Sequence, residues 1–252
     1  MFEHTVPSDW FPRCTVFDCD GILLDSETVW NRVQRELFAR WNVPFTEQIE
    51  HELTGLSAAD VAEQLARLSY EARQGNPTDA STYAEHRSRV MEDLLTTEHQ
   101  VISAGVELID GAQEFLSFLS EHLPVAVASN STAGILTVKM ENYGYAPLVN
   151  TWVSSDDVSA GKPAPDMYVE ATRRLGFPAE DALAFEDSPA GAQAARDAGT
   201  KVMIYVPADS DPAKVPAGYG RFDSFRDPQL WEAARAWIAK LEATQQSEAA
   251  QD

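Results

Sequence analysis

Cysteine is almost missing from this chain: 252 residues contain two, Cys14 and Cys19. A pair that close, flanking one short apolar run, sets up no disulfide framework; a reducing compartment suits it, and a cytoplasmic location is expected. Basic residues are scarce as well, 19 against 40 acidic ones, for a formal net charge of −21. A surface of that sign repels phosphodiester backbones and anionic lipid, so neither nucleic acid nor a membrane is the expected partner. No apolar run approaches the roughly 18 residues of a membrane span. Residues 1–12 have no basic start followed by an apolar stretch, and no secretory signal is expected. The five histidines (His4, His51, His86, His99 and His122) are scattered and make no ligand spacing. Internal repeats and low-complexity segments are missing too.

What is present is an ordinary globular composition, 44% hydrophobic and 23% charged. The length allows one core domain plus a smaller inserted one. The chain is organised around Cys14-Thr-Val-Phe-Asp18-Cys-Asp20-Gly21, a β-favouring run that ends in two aspartates. An apolar run of this kind reads as a strand buried on both faces of a parallel sheet. Four more such runs follow, at 124–128, 150–154, 182–185 and 201–206. Helical patterns of about ten residues separate them, at 111–121, 132–142, 166–175 and 191–198. That alternation predicts a doubly wound parallel α/β sheet. Between about 27 and 105 only helical periodicity appears. One helix is expected from a Ser26 cap through Val29, Val33, Leu37 and Trp41, one from Ser57, and one over about 83–95. A last amphipathic helix carries Trp231, Trp237, Ile238 and Leu241, and residues 243–252 read as a frayed polar tail.

Polar residues cluster where the strands end, which is where open parallel sheets bind ligands. Asp18 and Asp20 follow the first strand, and two ionised carboxylates in one crevice call for a cation such as Mg²⁺. Ser129 and Asn130 offer hydroxyl and amide donors at a strand-to-helix turn. Lys162 brings a point charge on a loop stiffened by Pro163 and Pro165. Glu186 and Asp187 add carboxylates after the fourth strand. Taken singly, these are a polar turn, a helix cap, a common loop dipeptide and a capping cluster. Taken together, in this order at successive strand ends, they suit phosphoryl transfer: Asp18 as nucleophile and Asp20 as general acid and base. A cation and Lys162 would neutralise the phosphoryl oxygens despite the acidic surface.

The motifs Asp18-Cys-Asp20-Gly21, Ser129-Asn130, Gly161-Lys162-Pro163-Ala-Pro165-Asp166 and Glu186-Asp187-Ser188-Pro-Ala-Gly191 resemble the haloacid dehalogenase superfamily, in its subgroup of β-phosphoglucomutase-like phosphatases and mutases. The resemblance implies a Rossmann-like core over 1–26 and 106–252 with an all-helical cap over 27–105. It implies Mg²⁺ held by Asp18, the Asp20 backbone carbonyl and Asp187, with Glu186 beside it. Gly21, Ser129, Asn130 and Lys162 would form the phosphate site, and Trp30 with Gly55, Leu56 and Ser57 the substrate surface of the cap. The family's carbon-attacking dehalogenases dispense with the second aspartate, so Asp20 disfavours that branch. Its phosphonate hydrolases use a cap lysine, and 27–105 contains no lysine. Mutases of the subgroup usually carry a His where Trp30 stands, and an Arg after the cap turn where Ala58-Ala59 stand. The expected function is therefore hydrolysis of a small phosphomonoester, with a sugar-phosphate mutase as the alternative and a non-catalytic sugar-phosphate sensor behind it. Trp30 either stacks on a sugar or fills the cap core. A monomer or weak homodimer is expected.

Overall fold

The first strand lies near the middle of the sheet because its neighbours on both sides can pack it. In the computed structural model, which describes residues 10–53, 58–74, 80–207 and 220–249, β1 (Cys14–Phe17) is buried along its whole length. It pairs in parallel with β2 (Val125–Ala128) on one side and β4 (Ala182–Glu186) on the other. With β3 (Thr151–Val153), β5 (Lys201–Tyr205) and β6 (Gly220–Phe222), the order across the sheet is β3-β2-β1-β4-β5-β6, and every pairing is parallel.

Alternate residues of each strand feed two apolar layers. Phe17 stacks on Phe185 with ring centroids 4.5 Å apart, in the layer that also takes Phe115 of α5 (Ala112–Ser120), Leu136 of α6 (Ala133–Asn142) and Trp237 of α9 (Pro228–Ala249). On the opposite face Val16, Ala126, Ala128 and Ala184 are small. That lets α7 (Asp166–Leu175) and α8 (Pro189–Asp197) approach closely through Met167, Tyr168, Ala171, Ala192 and Ala195. α8 begins where Ser188 Oγ accepts a bond from the Gly191 N–H at 3.0 Å, with Pro189 in its first turn. α7 stops at Gly176, whose φ of 81° suits a residue without a side chain.

Between β1 and α5 run α1 (Ser26–Arg40), α2 (Glu47–Leu53), α3 (Ala58–Gln74) and α4 (Ala80–Ala104). They share an apolar cluster of their own, built on Leu37, Phe38, Leu53, Val61, Leu65, Val90 and Leu94. Trp30 is partly buried against it, as a filler of that cluster would be.

The structure departs from the sequence reading in five places. Ser26 is the first residue of α1 rather than its cap; Asp25 holds the cap position and makes no side-chain capping bond. α2 was not foreseen, because seven residues with Ile49 and Leu53 as their apolar pair are too short to display a period. α4 starts near the expected place, at Ala80, but runs on well past 95 to Ala104, and its second half packs Val101 and Ile102. The tail forecast as frayed from 243 is helical to Ala249, since Ala, Gln and Glu continue a helix once it has started. β6 is a sixth strand, three residues long and hidden after a stretch without strand pattern. No helix among the described residues is long and apolar enough to cross a membrane.

Candidate active site

Because every strand of the sheet points the same way, the residues just past β1, β2, β3 and β4 meet along one edge. Asp18 directly follows β1 and remains tied into the sheet by its N–H, which donates to Phe185 O at 2.9 Å. The chain then turns through Gly21, at a φ of 81° that favours glycine. A side chain at this position would overlap the carboxyl group of Asp187, so Gly21 is what allows the β1 loop and the β4 loop to touch.

Lys162, on the loop between β3 and α7, reaches into the centre. Its Nζ donates to Asp18 Oδ1 and to Glu186 Oε1, both at 2.6 Å. Glu186 ends β4 with its side chain fully buried. Its Oε1 also accepts from Tyr168 OH at 2.6 Å. Its Oε2 accepts from the backbone N–H groups of Asp187 and Ser188 at 3.2 and 3.3 Å and from Ser188 Oγ at 3.1 Å. Both oxygens are thus occupied, and the visible work of Glu186 is to hold Lys162. A Cβ at Gly191 would overlap this carboxylate; the glycine of the α8 first turn is the floor on which Glu186 rests.

Asn130 bonds to the backbone of Lys162. Its Oδ1 accepts from the Lys162 N–H at 2.9 Å, and its Nδ2 donates to the Lys162 carbonyl at 3.3 Å. The amide expected among the phosphate donors thus also pins the lysine's loop. Ser129, fully buried, donates its hydroxyl to Asp20 Oδ2 at 3.2 Å. Trp30 belongs to the helical cluster described above, and Gly55, Leu56 and Ser57 lie outside the described residues.

Three carboxylates, those of Asp18, Glu186 and Asp187, offer oxygens that all lie within 4.8 Å of one another. Burial pushes the Asp18 carboxyl up to about 7, and Glu186 adds to that, with Lys162 pulling the other way. Asp187 is likewise raised, by burial first and then by Asp18 and Glu186. Burial works against the charge of Lys162, yet Asp18 and Glu186 outweigh it and keep the ammonium protonated. An all-oxygen set under this much mutual repulsion fits a hard divalent cation such as Mg²⁺.

Three contributors escaped the sequence reading. Lys139 on α6 is buried and grips Asp20, with Nζ at 2.6 and 2.9 Å from its two oxygens. Tyr168 on α7 anchors Glu186. Glu98 on α4 is buried near both Lys139 and Asp20, and its carboxyl is pushed up to about 7, mostly by burial. The signal for Lys139 was a charge in an inward helical stripe, since it shares the buried side of α6 with Ile135, Leu136 and Met140.

A family model of haloacid dehalogenase-like hydrolases matches residues 15–205 of the chain. The chain belongs to that family. Among relatives in it, (DL)-glycerol-3-phosphatase 1, mitochondrial, of Arabidopsis thaliana is 30% identical over 196 residues. The match takes in 75% of this chain and 62% of that longer protein, less than two thirds of its length. The 6-phosphogluconate phosphatase of Escherichia coli K12 is 27% identical over 229 residues, 88% of this chain and 95% of the relative. A solved HAD hydrolase from Entamoeba histolytica, family IA, variant 3, shares the fold with a TM-score of 0.70 at 19% identity, over 89% of this chain and 99% of its own. The Rossmann-like α/β core expected from the motifs is therefore present, and these haloacid dehalogenase relatives are by name phosphoric monoester hydrolases.

Proposed function

We propose that the protein is a Mg²⁺-dependent phosphatase that hydrolyses a small phosphomonoester, a sugar or polyol phosphate or a related metabolite, through a phosphorylated Asp18. The observation that carries this reading is the convergence of Asp18, Lys162, Glu186 and Asp187 from separate strand ends, with the carboxylate oxygens within 4.8 Å of one another.

Asp18 attacks phosphorus. As its O–P bond forms, the bond to the leaving alcohol breaks, and Asp20 gives the alkoxide a proton. Water then attacks the acyl phosphate and loses its proton to the Asp20 carboxylate. The bond to Asp18 breaks and inorganic phosphate departs. Lys162, held by Glu186, faces the transferring oxygens, and Ser129 adds a hydroxyl. Asp18, Asp187 and the backbone carbonyl of Asp20 are the groups that would hold Mg²⁺, which when bound supplies positive charge against the phosphoryl oxygens. Helices α1–α4, over about 27–105, would serve as the cap that keeps water away until transfer is complete. The phosphatase names of the relatives support hydrolysis over mutase chemistry, as do Trp30 and the Ala58-Ala59 pair, which offer no cation for a second phosphate.

Phosphate release from sugar, polyol and nucleoside monophosphates, with Mg²⁺ and with excess chelator, tests the proposal. Turnover of at least one class is expected, abolished by chelator and lowered by more than about 1000-fold in Asp18→Asn. Full activity in chelator would remove the metal from the scheme. An isomeric sugar phosphate formed with little free phosphate would favour the mutase. Binding without turnover, retained in Asp18→Asn, would favour the sensor.

A further inference from the structure

Each of the two aspartates of the β1 loop has a lysine of its own. Lys162 takes Asp18; Lys139, from the opposite side, takes Asp20. We propose that Lys139 is a positioning residue that fixes the Asp20 carboxylate in the orientation needed for proton transfer, an inference that rests on the acid/base role given to Asp20 above.

The arrangement around Lys139 is costly unless it is used. Its side chain is 4% exposed, on a helix face otherwise buried through Ile135, Leu136 and Met140. An ammonium in such a place loses several kcal/mol of hydration unless it is paired and its protons are accepted. Here Nζ donates to Asp20 Oδ1 at 2.6 Å, to Asp20 Oδ2 at 2.9 Å and to Ser131 Oγ at 2.9 Å. Ser131 in turn donates to Asp20 Oδ2 at 3.3 Å, beside the Ser129 hydroxyl at 3.2 Å. The Asp20 carboxylate is thus held through both oxygens by α6 and the turn before it, while about a third of its side chain stays open to the cleft. α4 closes over this clamp and places buried Glu98 close to the lysine. Without Lys139, Asp20 loses the two shortest contacts of that clamp, the ones that hold both of its oxygens. A misplacement of about 1 Å lowers the rate of a positioned reaction by about 100-fold.

The test compares two esters that differ in how much they need an acid. p-Nitrophenolate leaves unaided, whereas phenolate from phenyl phosphate benefits from a proton. In Lys139→Met, kcat for phenyl phosphate is expected to fall about 100-fold and that for p-nitrophenyl phosphate less than about 10-fold, with KM for both within about threefold. Equal losses on the two esters would mark Lys139 as merely structural and overturn the inference, as would no loss at all. Asp20→Asn is the control for the underlying reading. If it spares phenyl phosphate as fully as p-nitrophenyl phosphate, the acid/base role has failed. If it is selective and Lys139→Met is not, only the inference has failed. Should Lys139→Met not fold, Ser131→Ala decides. It removes one partner of the lysine and one of Asp20, and a selective loss of about 3- to 10-fold on phenyl phosphate is expected. Unchanged selectivity would overturn the proposal.

Discussion

Glu186 gives up both carboxylate oxygens to five donors, and the one that matters for chemistry is Lys162. Changing Glu186 to Gln keeps the shape but removes the charge that pairs with a buried ammonium. Removing one member of a buried charged pair is far costlier than trimming a neutral hydrogen bond. Steady-state kinetics on the best substrate from the screen should therefore show kcat down by about 100-fold in Glu186→Gln and by less than about 10-fold in Tyr168→Phe, which loses only the hydroxyl contact. Equal effects would mean that Glu186 acts on something other than the lysine. The sequence announced that these carboxylates sit together, because Glu186-Asp187-Ser188 follows a strand. It could not announce that Glu186 faces inward, since that depends on Gly191 leaving room beneath it and on Tyr168 arriving from another helix.

α4 and α6 pack against each other with Glu98 of one near Lys139 of the other. The Glu98 carboxyl is pushed from its ordinary 4.5 up to about 7 by burial, with Asp20 adding to the rise and Lys139 opposing it. Between those two values the folded protein holds a proton that the unfolded chain has released, so this group makes stability fall as pH rises, and the loss is complete above about 7. Glu98→Gln never ionises. Urea midpoints should be close to those of the parent at pH 4.5 and higher than the parent at pH 8. A midpoint for Glu98→Gln below the parent at pH 8 would show that the ionised carboxylate is stabilising where it lies. The amphipathic stripe of α4 could be read from sequence over 83–95, but its continuation to Ala104 goes with packing against α6, which local pattern does not encode.

Across the whole molecule, a net charge of −21 surrounds a site built from like charges. Asp18 shares the sign found for Glu98: its ordinary 3.8 is raised to about 7, so without a cation the protein loses stability as pH climbs from about 4 to about 7. A bound divalent ion favours the ionised form and stabilises the folded state by mass action. In calorimetry with chelator, the melting temperature should fall between pH 5 and pH 8. Mg²⁺ in excess should raise it at pH 8 and do little at pH 5. The Asp18→Asn variant should have a flatter pH profile in chelator. A parent protein that melts at the same temperature at pH 8 with and without Mg²⁺ would argue against a metal at this cluster.

The α/β alternation, the helical block between β1 and α5, and the motifs that end the strands were all legible in the order of the amino acids. Each of these is written in local period and residue type, and strand ends of a parallel sheet have to lie on one edge. What each polar group faces follows from how the folded elements meet. Asn130 pins the loop of Lys162, Lys139 crosses from α6 to Asp20 over a separation of 119 residues, and β6 finds its edge position beside β5. Those outcomes depend on which surfaces meet, and the pairing of a buried charge is settled by whichever opposite charge the fold brings within reach.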